Sequence, residues 1–304
     1  MPIIDPTYCK RKILDLHGEY GSQWLAQLPA LIAECAGRWS LEVMPPFPVE
    51  SYSYVTPAVR VNNEPVVLKV GVPGRELTCQ IEALRHWNGS GICRLLEADA
   101  QRGFLLMERV LPGEPLKTIA DDDQVTRVAM DVMQRLWKPA PELHVFPSVA
   151  EWAGDLQKLR ARFNGGFGPF PAALVEQAER QFAELAGDAS PSMLIHGDMN
   201  WGNILRGQRE PWLAIDPKGV VGNPLYDVAT FLNDPPESLT EAELKRLLAR
   251  RVAQIAEILG VDRARVKSWA QAHCVLAGYW TYEDHEGQGW EVAFAMAGMY
   301  DEIT

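Results

Sequence analysis

The chain has 304 residues, beyond the roughly 250–300 at which a single hydrophobic core stops growing, so two lobes or domains are expected. Hydrophobic residues make up 47% and charged residues 23%, which excludes a disordered or fibrous chain. The net charge of −11 disfavours nucleic acid and anionic membrane as partners and favours cationic ones.

Residues 11–38 carry apolar side chains at helical spacing, among them Leu14, Trp24, Leu28, Leu31 and Ile32, and predict an amphipathic helix. The proline-rich stretch at 44–50 ends it. Residues 51–70 predict two strands around the turn "NNEP", and "GVPG" closes the second. A helix follows over 75–88, with Leu77, Ile81 and Leu84 on one stripe. Two further strands, "GICRLLEAD" and "FLLMERV", are separated by a turn near "AQRG". After "LPGEPL" (111–116) the character changes, and most of 120–190 is helical in pattern. "WLAID" (212–216) predicts a short strand. Thr240 and Glu243 form a capping box that opens a helix running to Gly260. Another helix follows Asp262 to about Tyr282, and the last begins near Trp290. The outcome is a sheet-rich lobe over 1–110, a linker with Pro112 and Gly113, and a mostly helical lobe over 111–304.

The five cysteines are scattered and form no CxxC pair, so neither a disulfide framework nor a zinc ribbon is expected. No apolar run reaches 18 residues and the first twelve carry no apolar segment. Neither a membrane span nor a secretory leader is expected, and a cytoplasmic location fits. Oligomeric state leaves no trace in the sequence.

The chemistry concentrates in a few positions. Lys69 alternates with Val67 on one face of an apolar strand, where an ammonium needs an anionic partner. It reads as a phosphate ligand held by Glu82 or Glu76, or more plainly as an edge lysine reaching for water. The stretch "HGDMNWGNIL" (196–205) places Asp198 and Asn203 at the spacing D-x-x-x-x-N, followed by Asp216 at a strand end. Phosphoryl transfer uses that spacing: one carboxylate orients the attacking hydroxyl, while an amide and a second carboxylate hold magnesium on the phosphates. Taken singly, Asp198 reads as a helix cap, Asn203 as a turn residue and His196 as a structural histidine. The ordered set carries the argument.

The stretch 194–232, "LIHGDMNWGNILRGQREPWLAIDPKGVVGNPLYDVATFL", resembles the aminoglycoside phosphotransferase superfamily, in the branch of streptomycin 6-kinases and hydroxyurea kinases. "LKVGVPGRE", "ALRHWNGSGICRLLEAD" and "LLMERVLPGEPL" support the same branch. The resemblance implies an α+β, protein-kinase-like two-lobed fold, with an ATP cleft between the lobes and ATP and Mg2+ as cofactors. It also implies transfer of the γ-phosphate to a small-molecule hydroxyl. Asp198 matches the catalytic base, Asn203 and Asp216 the metal ligands, Lys69 the phosphate lysine and Glu82 its ion-pair partner. Met107, Glu108 and Val110 match the linker whose backbone holds adenine, and Asp227 a structural carboxylate behind the catalytic loop. The segment 51–59, where a glycine-rich phosphate loop is expected, has no glycine; Ser51 and Ser53 are the candidate replacements.

A streptomycin-like acceptor is cationic and calls for an acidic pocket. Asp234, Glu237, Glu283, Asp284 and Glu286 are candidates, with Trp201, Trp280 and Trp290 as walls; the plainer reading is a solvated helix end and core tryptophans. Three other functions stand beside the main one. They are a kinase of an unrelated metabolite, a non-catalytic nucleotide-binding protein, and a metal-dependent hydrolase using His196 and Asp198, which lacks a second nearby histidine.

Overall fold

A computed structural model of the protein describes residues 5–186, 192–236 and 239–303. The chain opens with α1 (Thr7–Trp39), kinked at Gly18, whose φ of 52° and ψ of −126° leave the helical region. Five strands follow: β1 (Leu41–Val43), β2 (Ser53–Arg60), β3 (Pro65–Gly71), β4 (Leu95–Asp99) and β5 (Phe104–Glu108). They form one antiparallel sheet in the order β1-β2-β3-β5-β4. Helix α2 (Arg75–Trp87) is inserted between β3 and β4. These elements follow the periodicities read from the sequence. The three-residue β1 does not, because so short a strand carries no alternation to detect.

The pleat sorts the side chains. Val66, Leu68 and Val70 on β3, with Phe104 and Leu106 on β5, are buried against Trp24, Leu28, Leu31 and Ile32 of α1. Lys69, Leu105 and Met107 point to the opposite face, and Leu105 and Met107 join the core that includes α2 and the rest of the chain. The apolar core therefore does not divide at residue 110. Trp87, 1% exposed, fastens α2 to the helical part by donating its indole N–H to the Leu136 carbonyl at 2.7 Å.

Beyond β6 (Pro112–Pro115) the fold is mainly helical: α3 (Asp122–Leu136), α4 (Val149–Ala153), α5 (Asp155–Arg162), α6 (Ala172–Ala186), α7 (Leu225–Leu232), α8 (Glu241–Leu259), α9 (Arg263–Asp284) and α10 (Glu291–Glu302). The Thr240–Glu243 capping box forms as expected, and Gly260 ends α8 in the left-handed region. Two small sheets interrupt the helices. One pairs β6 with β9 (Ile204–Gly207) and β10 (Trp212–Ala214), and the other pairs β7 (Lys138–Pro139), β8 (Met193–Ile195) and β11 (Val220–Gly222). Only β10 of these was legible in the sequence. All five cysteines are free and buried. Among the described residues, no helix is long and apolar enough to cross a membrane.

Candidate active site

The segment after β8 is held open by a buried carboxylate. Asp227, at the start of α7, accepts the backbone N–H groups of His196 and Gly197 at 3.0 and 2.7 Å and the Trp137 indole N–H at 3.2 Å. Burial pushes its pKa up, and those three donors oppose the rise. Gly197 has a φ of +83°, and a Cβ there would meet Val220 Cγ2 at 2.8 Å, so the position requires glycine. His196 is fully buried. Its Nδ1 accepts from the Asp198 N–H at 3.2 Å and its Nε2 bonds the Ile215 carbonyl at 2.8 Å. Both ring nitrogens are thus committed to the backbone, which removes His196 as the metal ligand of the hydrolase reading.

Asp198 follows. Asn200 donates to its Oδ1 at 3.1 Å, and the Asn203 amide nitrogen lies 2.9 Å from its carbonyl and 3.4 Å from its Oδ2. Asn200 Oδ1 accepts from the N–H groups of Gly202 and Asn203 at 2.9 and 3.0 Å and caps the short turn between them. Because the Asn203 nitrogen is turned toward Asp198, its carbonyl oxygen faces away from it.

Asp216 lies across from this loop. Its φ of 56° is a left-handed conformation, uncommon for a residue with a side chain, and such outliers gather at functional sites. Its Oδ1 takes two donors, Lys69 Nζ at 2.5 Å and Gln80 Nε2 at 2.6 Å. Burial acts to raise the Asp216 pKa, but Lys69 and Lys218 outweigh it and hold the carboxyl well below the usual carboxylate range. Lys218 in turn pairs with Glu76, which, with Asp216, holds its ammonium above the usual lysine range against the opposing effect of burial. Gly219, at φ +71°, lets α2 approach this segment: a Cβ would meet Ala83 Cβ at 2.8 Å.

Lys69 thus meets neither of its expected partners. Glu82 bonds Arg85 at the surface, and Glu76 bonds Lys218. The reason is helical geometry. Gln80 belongs to the buried stripe of α2 with Leu77, Ile81 and Leu84, whereas Glu82 is two residues on, about 200° around the helix axis. The stripe visible in the sequence already carried this information.

Two cavities adjoin, and Asp198 and Asn200 line both, together with Tyr52, Glu76 and Lys218 among others. The smaller, about 430 Å³, is lined by Ser53, Lys69, Gln80, Asn203, Asp216 and Lys218 among others. Ser51 and Tyr52 from the loop between β1 and β2, and Ser53 at the start of β2, also line it, so most of the glycine-free segment 51–59 is itself strand β2. The larger, about 1370 Å³, runs between α2, α4, α7 and α9. None of Met107, Glu108 and Val110 lines either cavity. Met107 and Val110 are core residues, while the Glu108 carboxylate is occupied by Arg209 at 3.0 and 3.1 Å and by the Arg94 N–H at 2.9 Å.

Of the acidic and aromatic residues expected around the acceptor, Asp234, Asp284, Trp201 and Trp280 line the larger cavity. Asp284 accepts from the Tyr52 hydroxyl at 3.2 Å. Asp234 accepts the Trp201 N–H at 3.0 Å, and burial raises its pKa against that bond. Glu283 does not line the cavity: it accepts from Tyr279 at 2.8 Å and faces Arg162 at 3.6 Å. Adjacent helical residues point about 100° apart, so Asp284 facing the cavity turns Glu283 away. Trp290 packs on Phe170 and Phe294, and Glu286 sits in a turn outside the cavity. Glu237 lies outside the described residues. Gln80, Lys218, Asn200, Trp152 and Asp155 went unnoticed in the sequence. Asn200 alone left a signal, as a capping residue type before a turn.

The family model described as aminoglycoside/hydroxyurea antibiotic resistance kinase matches residues 38–285. The chain is 33% identical over 277 residues to a streptomycin 6-kinase of Streptomyces glaucescens, covering 88% of this chain and 87% of that protein. It is 30% identical over 277 residues to a hydroxyurea phosphotransferase of Kitasatospora aureofaciens, covering 88% and 77%. Among solved structures, a macrolide 2'-phosphotransferase from Brachybacterium faecium superposes with a TM-score of 0.57 at 16% identity, over 87% of this chain and 96% of that one. That likeness concerns the fold, a two-lobed α+β kinase architecture.

Proposed function

The chain belongs to the aminoglycoside/hydroxyurea antibiotic resistance kinase family of small-molecule phosphotransferases, and on that premise we propose that it transfers the γ-phosphate of ATP to a hydroxyl of a small, cationic acceptor. One observation carries this reading: Asp198 lines both cavities, so one carboxylate faces a site rich in phosphate-binding groups and a site large enough for a sugar-sized acceptor. The division into lobes at about residue 110 belongs to the same reading.

In it, Asp198 accepts the proton of the attacking hydroxyl and fixes its direction. Lys69 binds phosphate oxygens and is held in place by Asp216, whose Oδ1 also accepts from Gln80. The donor set fits magnesium. The Asn203 carbonyl oxygen and the Asp216 carboxylate are hard oxygen ligands, and magnesium commonly uses one or two carboxylates plus substrate phosphates. When bound, magnesium neutralises charge on the phosphates. The linker around Val110 is assigned to adenine in the same reading; the Glu108 carboxylate is committed to Arg209 and its N–H to the Arg94 carbonyl at 2.8 Å, so neither is left for the base. Asp234 and Asp284 supply negative charge toward a cationic acceptor, and Trp201 and Trp280 supply flat walls.

The test is a thermal shift followed by a transfer assay. ATP with magnesium at about 100 times Kd should raise Tm by ~2–4 °C, and magnesium alone should not. Streptomycin and other aminoglycosides should then acquire phosphate, detected by 31P NMR. No MgATP-dependent shift and no phosphorylated product would refute the reading.

A further inference from the structure

The larger cavity has a polar floor of which the reading above uses only Asp234. His273 of α9 and Asn233 and Asp234 at the end of α7 line it together. The Asn233 amide is fixed by three bonds. Its Oδ1 accepts from the Tyr300 hydroxyl at 2.8 Å, and its Nδ2 donates to the Ala270 carbonyl at 2.8 Å and reaches His273 Nδ1 at 2.9 Å.

These bonds determine where the histidine proton sits. A backbone carbonyl only accepts, so the atom facing Ala270 is the amide nitrogen. Its second hydrogen then falls on His273 Nδ1, which must be the unprotonated nitrogen of a neutral ring. The ring hydrogen is on Nε2. Burial lowers the His273 pKa to about 4, which keeps the ring neutral near pH 7. The Tyr226 ring meets it edge-on, with centroids 5.2 Å apart at 82°, and sets its plane. The ring is 8% exposed and lines the cavity, and Nε2 takes part in no hydrogen bond among the described residues. Asp234, the residue after Asn233, lines the same cavity; it uses Oδ2 for the Trp201 N–H, and its Oδ1 has no bond among the described residues.

We propose that His273 Nε2–H and Asp234 Oδ1 form a donor–acceptor subsite that binds a hydroxyl or amino-alcohol group of the acceptor molecule, distinct from the hydroxyl that is phosphorylated. The proposal rests on the functional reading above. A neutral N–H offers no lone pair, so His273 selects an oxygen, while Asp234 selects a hydroxyl or an ammonium. An acceptor lacking that oxygen leaves a buried donor unmatched, and such sites discriminate strongly. His273 is a specificity-determining residue here, not a catalytic one.

The competing role for His273 is purely structural, as the partner that holds Asn233 and, through it, Tyr300. Two substitutions separate the roles. His273→Asn places an amide oxygen near the Nδ1 position and keeps the bond from Asn233, but loses the cavity donor. His273→Gln places an amide N–H near the Nε2 position and loses the bond to Asn233. With streptomycin as the probe, His273→Asn should raise its KM about tenfold or more while kcat and the KM for ATP stay within about threefold; His273→Gln should stay within about threefold throughout. The reverse pattern, or an equal change in both variants, overturns the subsite. A second measurement needs no variant: in 15N-histidine-labelled wild type, His273 should be the Nε2–H tautomer and its Nε2 resonance should move on adding streptomycin. A Nδ1–H tautomer, or an unmoved resonance with streptomycin bound, overturns it too. Wild type that neither binds nor phosphorylates streptomycin or other aminoglycosides refutes the functional reading itself, before any variant is compared, and the subsite falls with it.

Discussion

Lys69 Nζ lies 2.5 Å from Asp216 Oδ1, although 147 residues separate the two in the chain, and Gln80 Nε2 shares the same oxygen at 2.6 Å. A strand lysine, a helix amide and a carboxylate in a left-handed turn thus converge on one point at the end of the smaller cavity. The side chain of Lys69 is 10% exposed, so Asp216 takes the place of the water its ammonium gives up.

Lys69→Met should raise the KM for ATP and lower kcat, together reducing kcat/KM by about 10²–10³-fold, the size typical of losing one preorganised electrostatic contact. Asp216→Ala should abolish turnover and weaken MgATP binding more than binding of metal-free ATP, because a metal-holding carboxylate acts through the cation. Steady-state kinetics and calorimetry with and without magnesium check both. Near-normal turnover in Asp216→Ala would remove it as a metal ligand.

Gln80 and Glu82 make opposite predictions. Gln80→Leu should weaken MgATP binding, since Asp216 loses a hydrogen bond in the site. Glu82→Ala should leave ATP affinity unchanged and move stability by no more than about 0.5 kcal/mol, as expected for a surface residue. A Glu82→Ala variant with impaired ATP binding would show that the helix turns in the working enzyme.

Asp198→Asn should lower kcat by about 10²–10⁴-fold with MgATP affinity held within a few-fold, because the group acts on the acceptor hydroxyl. The Asn203 amide nitrogen sits within reach of Asp198, so Asn203→Ala should disturb both quantities. Calorimetry for ATP and initial rates with streptomycin separate the two effects. An Asp198→Asn variant with most of its kcat would make the loop structural.

Stability rests on a different carboxylate. Asp122, at the start of α3, receives the fully buried Arg251 guanidinium at 2.6 Å and Arg250 at 2.8 Å. Burial acts to raise the Asp122 pKa, but the two guanidinium groups outweigh it and hold the pKa below the usual carboxylate value. A carboxyl whose folded pKa is depressed stabilises the fold above its unfolded pKa of about 3.9, and that contribution fades as pH falls through the folded value. Asp122→Asn should therefore lose about 3 kcal/mol or more at neutral pH, the scale of breaking a buried pair. The gap to wild type should narrow below about pH 4 as the wild-type carboxylate takes up its proton. Urea titrations across pH 3–8 measure it, with pH about 3 as the low end; a gap that widens on acidification would contradict the assignment.

The local periodicities determined most of the fold. The alternation in "VVLKV" set Lys69 on the face opposite the residues packed on α1, the Leu77, Ile81 and Leu84 stripe set the buried side of α2, and the Thr240–Glu243 box set the start of α8. Each is a short-range property, because side-chain direction within one element follows from its repeat. The spacing of Asp198, Asn203 and Asp216 was likewise legible, since all three lie within one loop and at the far end of the short β9–β10 hairpin that follows it. What only the tertiary structure decided is who faces whom. Lys69 found Asp216, 147 residues away, Glu76 turned to Lys218, Asp284 faced the cavity in place of Glu283, and His273 acquired a defined proton position from Asn233, 40 residues away. Those pairings depend on how whole elements dock against one another. Docking is determined by the summed burial of many apolar side chains, which outweighs any single ion pair and leaves no trace in the residues it brings together.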